Sequence, residues 1–175
     1  MKLIDKLLGH KPKRETVNIC IPDESFYLVE SVDSEGFPEL MVVNASLQHH
    51  QDDIPLQRVF NNYCSVMFYF DDVDENDWPG SEEFSVMQAC TESFDKALKE
   101  DEEHPNALFV ARITYKGTCE MIWMIHDSEK AIAYLDGVIA EGNQVREFDY
   151  RIEEGVGWDS ISRFLQYHDA EQDET

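Results

Sequence analysis

Residues 107–125 read ALFVARITYKGTCEMIWMI. Two runs rich in β-branched and aromatic residues, Ala107–Tyr115 and Cys119–Ile125, flank Lys116-Gly117-Thr118, and a short Gly-bearing loop between such runs predicts a β-hairpin. Outward from it the pattern changes period on both sides. Downstream, Asp127 is placed to cap a helix whose apolar stripe is Ile132, Leu135, Val138 and Ile139. Gly142 stops that helix, and Val145–Glu153 alternates as a strand. Upstream, His104-Pro105 ends a helix that starts at Ser81 as N-cap and runs to about Glu103. Phe84, Met87, Cys90, Phe94, Ala97 and Leu98 recur along it at helical spacing. Before that helix, NYCSVMFYF, Asn62–Phe70, is another β-branched and aromatic run.

The order strand, helix, strand, strand, helix, strand predicts an α+β fold with a ferredoxin-like βαββαβ core, an antiparallel sheet with helices on one face. Ser25–Val32 and Glu39–Ala45, joined by the turn cluster DSEGFP, predict an N-terminal β-hairpin that extends the sheet, and Trp158–Tyr167 a short C-terminal helix. Residues 45–59 carry Pro55 and weak periodicity and read as loop with room for one helical turn. The expected organisation is an N-terminal appendage over 1–20, a single domain over 21–167 and an acidic tail over 168–175.

In a ferredoxin-like core the first and third strands are central. Here these are Asn62–Phe70 and Cys119–Ile125, the most continuously apolar pair. Tyr63, Met67 and Tyr69, with Met121 and Trp123, give these strands apolar or aromatic residues on both faces. Helices on one face leave the other needing a cover, and the N-terminal hairpin segment or the last helix is the expected one; a partner is the alternative.

Composition narrows the function. Of 175 residues 42% are hydrophobic, enough for one core, and 37 acidic residues against 14 basic ones give a formal charge of −23. That field repels phosphate backbones and anionic lipid, and favours a basic segment of another protein. The apolar run in MKLIDKLLGHKPKRE is too short for a signal peptide core or a membrane span, so a cytoplasmic location is expected. Cys20, Cys64, Cys90 and Cys119 form no CxxC pair, and three of them sit in apolar surroundings as free thiols. No nucleophile elbow, phosphate-binding loop or dinucleotide fingerprint occurs.

The stretch DDVDENDWPGSEE, Asp71–Glu83, holds seven carboxylates in thirteen residues. Asp72, Asp74, Asn76 and Glu83 fall at the ligand intervals of a calcium loop, but Asp77 stands where such a loop needs Gly and a strand precedes it where a helix is needed. It reads instead as a solvated strand-to-helix connection, with Glu82 and Glu83 serving the helix start. His49-His50 reads as a surface pair. His126, beside Asp127, is the best-placed histidine for a site. Arg112 lies alone in an apolar strand and is expected to reach solvent or pair with a carboxylate. Trp158 reads as a core anchor. No catalytic, metal or cofactor site is expected.

Further residues carry a family likeness. ARITYKGTCEMIWMIHDSE resembles the strand-turn-strand of the bacterial family catalogued as domain of unknown function number 695, through Arg112, Thr114, Gly117 and Trp123. FDYRIEEGVGWDSISRFL, Phe148–Leu165, is similar to that family's end, and Gly80-Ser81-x-Glu83 resembles its loop. The family is in turn remotely similar to regulator of ribonuclease E activity B, an acidic α+β protein that inhibits a ribonuclease by binding it. The resemblance implies a fold and a protein-binding or regulatory role, with no catalytic residues to carry over.

The expectation is therefore a non-catalytic module binding a protein partner with a basic segment, with an RNA-processing enzyme as the candidate, through Tyr69, Asp72, Asp74, Trp78 and Trp123. Single-stranded nucleic acid on an aromatic sheet face, and an enzyme using Arg112 and His126, are the alternatives.

Overall fold

The computed structural model describes residues 19–166. Most of the expected N-terminal appendage and the acidic tail lie outside the described residues. The elements in chain order are β1 (Phe26–Val32), β2 (Pro38–Asn44), a 3-10 turn (Ala45–His50), α1 (Ile54–Val59), β3 (Asn62–Tyr69), α2 (Ser81–Lys99), β4 (Ala107–Tyr115), β5 (Thr118–Ile125), α3 (Ser128–Glu141), β6 (Phe148–Glu153), a second 3-10 turn (Trp158–Ile161) and α4 (Ser162–Leu165). The six strands form one sheet in the order β1-β2-β4-β5-β3-β6, with every pairing antiparallel. The N-terminal hairpin thus extends the sheet through β2 on β4, and β3 and β5 pair inside it.

Local chemistry sets the boundaries. In the β4–β5 turn both Lys116 and Gly117 have positive φ, 44° and 75°, as a type I′ hairpin requires. The Asp127 side chain accepts from the N–H groups of Glu129 and Lys130 at the start of α3, and Gly142 ends it in the left-handed region. At α2 the cap is Gly80 rather than Ser81, with no side-chain bond. The helix stops at Lys99 rather than Glu103, because the Asp101 carboxylate ties the N–H groups of Glu103 and His104 into a separate turn.

Two apolar clusters lie on opposite faces of the sheet. One packs Cys64, Val66, Phe68, Met121, Trp123 and Ile125 beneath α2 and α3. The other joins Tyr63, Ile122, Met124 and Met41 to Leu47, Leu56, Phe60, Trp158, Ile161 and Phe164. Helical elements therefore cover both faces, which corrects the one-face expectation. The last helix supplies part of the second cover, as anticipated; the rest comes from residues 45–59, expected to be loop with room for one helical turn. Pro55 there does not break a helix but starts one. It lies in the first turn of α1, where its missing N–H costs nothing, and the Asp53 side chain accepts from Leu56 N–H at 3.0 Å. Trp158 is the anchor its position suggested, donating from Nε1 to the Phe60 carbonyl at 2.9 Å.

Candidate functional site

Six strands at about 4.8 Å spacing make a sheet about 29 Å wide, and two helices side by side cover about 20 Å of it. Here α2 lies over β4 and α3 over β6. The outer hairpin, β1 and β2, is left without a helix on that face. Side chains alternate along β1: Tyr27 and Val29 turn into the core of the other face, whereas Phe26, Leu28 and Val32 are 50%, 65% and 67% exposed. On β2, Met41 and Val43 point into the same core, so Leu40 and Val42 continue the bare side. The result is a shallow apolar trough with α2 as one wall and the free edge of β1 as the other. Exposed apolar area of this kind marks interaction surfaces.

Each end of the trough holds a hollow. At one end, Trp78 packs on Phe84 of α2 with ring centres 5.7 Å apart and lines, with Val32, Pro38 and Leu40, a hollow of ≈ 340 Å³. At the other, Phe26, Val42, Phe109, Gln88, Thr91 and Arg112 enclose one of ≈ 220 Å³, which Glu24, Glu92 and Asp95 complete. Glu24, Glu30 and Glu92 are exposed along this trough, so its rim is acidic.

Arg112 reaches the hollow because β4 is irregular. The β4–β5 register slips between Phe109 and Ala111, and Val110, Ala111 and Ile113 all belong to the opposite core. Without that bulge strict alternation would aim Arg112 into the second core; with it the guanidinium lies under α2. Nη1 donates to Gln88 Oε1 at 3.0 Å and to Thr91 Oγ1 at 3.2 Å. The expected carboxylate partner is absent among the described residues. Nearby acids are engaged elsewhere. Trp123 Nε1 donates to Asp95 Oδ1 at 2.9 Å, and Lys99 Nζ lies 2.6 Å from both Asp95 and Glu24. Burial pulls the Lys99 pKa down, but these two carboxylates more than offset it and the net direction is up. Glu92 accepts from Gln88 Nε2 at 2.8 Å.

The residues singled out from sequence do not form one surface. Trp78 belongs to the trough, half-buried rather than freely exposed. Trp123 is fully buried beneath α2 and presents nothing to a partner, which removes it from that surface. Tyr69 is 42% exposed on the opposite face, its hydroxyl bonded to Asp149 at 2.9 Å. Asp72 and Asp74 are exposed, but Asp74 Oδ1 accepts from the N–H groups of Asn76 and Trp78 and so shapes the loop. Glu83 lies in the first turn of α2 as expected, but its side chain is buried against Arg146 and presents nothing to a partner. His126 follows Ile125, about 16 Å along the sheet from the level of Arg112 at 3.3 Å per residue, and its Nδ1 lies 3.1 Å from the Val59 carbonyl. Arg112 and His126 do not share a site. Among the described residues no three His, Cys, Asp or Glu side chains are grouped to hold a metal, and no helix is long and apolar enough to cross a membrane.

Phe26, Leu28 and Val32 were the residues sequence reading passed over. The alternation in FYLVESV was visible, but not which side would lack a helix.

Residues 29–166, from within β1 to just past the end of α4, match the Family of unknown function (DUF695). The chain belongs to that family. No curated protein and no solved structure matches it. In this DUF695 chain the matched span includes β2, the bulge, Arg112 and the Val32 end of the trough, and leaves out Glu24, Phe26 and Leu28 at its other end.

Proposed function

We propose that this DUF695 protein is a non-catalytic binding module that takes an extended, basic polypeptide segment along the trough between α2 and the edge of β1. The observation that carries the reading is the exposure of Phe26, Leu28 and Val32 on the one side of β1 that no helix covers, bordered by carboxylates. Apolar side chains of the segment would lie on β1 and β2, its basic ones would meet Glu30 and Glu92, and its backbone can add to the open edge of β1. A chain charge of −23 speeds encounter with such a partner. We read β3-α2-β4-β5-α3-β6, with its sheet order β4-β5-β3-β6, as a ferredoxin-like core carrying this site. We further propose a regulatory role on an RNA-processing enzyme in the cytoplasm, the role that a remote similarity to regulator of ribonuclease E activity B, which acts by binding an enzyme, would imply.

The test is affinity capture from the native host at graded salt, run in parallel with wild type and Leu28→Asp. A partner held by wild type, weakened by salt and lost with the variant supports the reading; an identical partner set overturns it. A carbodiimide cross-link from Lys2, Lys6 or Lys11 to Glu30 within one chain would instead assign the trough to the protein's own basic run.

A further inference from the structure

Resting on that reading, we infer that the hollow at Arg112 receives the C-terminal carboxylate of the bound segment, with an apolar last residue against Phe26. Three observations converge. The guanidinium is fixed in place by Gln88 and Thr91 through Nη1 alone, while Nε and Nη2 have no protein partner among the described residues, so one side of the donor fork is open. The two acceptors are neutral, which leaves the positive charge of Arg112 uncompensated by any carboxylate within ion-pair distance among the described residues. Of the acids lining the same hollow, Asp95 and Glu24 are paired with Lys99, while Glu92 keeps its charge and accepts from the Gln88 amide.

An open arginine fork matches a carboxylate in two-point geometry. The size of the hollow limits what carries that carboxylate. At ≈ 220 Å³ it lies below the usual range for a whole small-molecule site, and suits one terminal residue. Its apolar wall is Phe26 set edge-on to Phe109, with ring centres 5.9 Å apart. Because this hollow lies at the Phe26 end of β1 and Trp78 at the Val32 end, the segment would run antiparallel to β1. Six residue steps, about 20 Å, separate the two ends, which a heptapeptide spans.

The probe is an alternating lysine and apolar heptapeptide ending in phenylalanine, labelled at its N-terminus, with a free or an amidated C-terminus, alongside N-acetyl-L-phenylalanine and its amide. Binding to the full chain is read by anisotropy for the peptides and by the Arg112 Nε–H resonance for the small probes. The expected result is at least tenfold tighter binding of each acid than of its amide, and loss of that preference in Arg112→Gln. Equal affinity of acid and amide peptides overturns the Arg112 inference and leaves the trough reading standing. Binding of N-acetyl-L-phenylalanine with no peptide binding supports the hollow and sinks the trough; no binding of either overturns both. The acid-amide comparison on wild type needs no variant to fold.

Discussion

Arg146 grips Glu83 at two points beneath the start of α2: Nε donates to Oε2 at 3.1 Å and Nη2 to Oε1 at 2.6 Å, with the Glu83 side chain 3% exposed. The pair joins the connection before β6 to the helix that walls the trough, and Asp71 adds a third carboxylate oxygen 3.4 Å from Nη1. The bond to Glu83 is the main reason the Arg146 pKa is raised. Removing one partner of a buried pair strands the other charge. Arg146→Ala should therefore destabilise the fold by about 3 kcal/mol in urea titration, and replacing both residues by apolar ones of similar size should cost less than the single change. A single variant within about 0.5 kcal/mol of wild type would show the pair to be structurally idle.

The cover of the second face depends on α1, and α1 depends on its cap. Asp53→Ala removes the oxygen that accepts from Leu56 N–H and should cost about 1 kcal/mol, read as a lower urea midpoint with an unchanged slope. No change would mean that the packing of Leu56 alone holds the helix.

Acid should loosen the end of the sheet where the β1–β2 and β4–β5 turns meet. The Tyr115 hydroxyl, 2.5 Å from Asp33 Oδ2, does most to hold the Asp33 carboxyl well below the usual range; desolvation opposes it, and the N–H groups of Phe37 and Glu35 and the Lys116 ammonium add to it. A pKa lower in the folded than in the unfolded chain gives stability that is complete above the unfolded value of about 3.9 and is lost as pH falls through the folded one. The stability difference between wild type and Asp33→Asn should be constant near neutrality and shrink below about pH 4. A difference that stays flat down to pH 2 would contradict this.

The thiols should divide by position. Burial pushes Cys64 and Cys119 up to about 12, whereas Cys20 is exposed and Cys90 half-buried. An aromatic disulfide reagent at pH 8 should label Cys20 first, Cys90 slowly, and Cys64 and Cys119 only with denaturant. Prompt labelling of either buried thiol in the native protein would mean that the α2–α3 face opens readily.

Much of the fold was legible because its signals were local. The KGT turn, the Asp127 cap and Gly142 each state their structure within a few residues, and the central place of β3 and β5 followed from their continuous apolarity. What sequence periodicity missed depended on distant contacts. Pro55 reads as a breaker until Asp53 is seen capping the turn around it. Arg112 was expected to reach solvent or pair with a carboxylate. That it lies under α2 between Gln88 and Thr91 depends on the bulge at Val110–Ala111, which switches the face of the residues after it. Trp123 looked available because an aromatic in a strand has no address until the helices are laid on the sheet. The candidate site was least legible of all, since Phe26 and Leu28 are ordinary strand residues whose exposure follows from two helices being too narrow for six strands.

The central claim is that this bare side of β1 is a binding surface for a basic, apolar segment. The most direct measurement is the affinity of the labelled heptapeptide for wild type and for Leu28→Asp, at low and at physiological salt, with thermal melts of both proteins. Leu28 is 65% exposed, so the substitution should leave stability within about 0.5 kcal/mol. The account predicts binding to wild type that weakens several-fold with salt and at least tenfold with the variant. Equal affinity for the two proteins would contradict it.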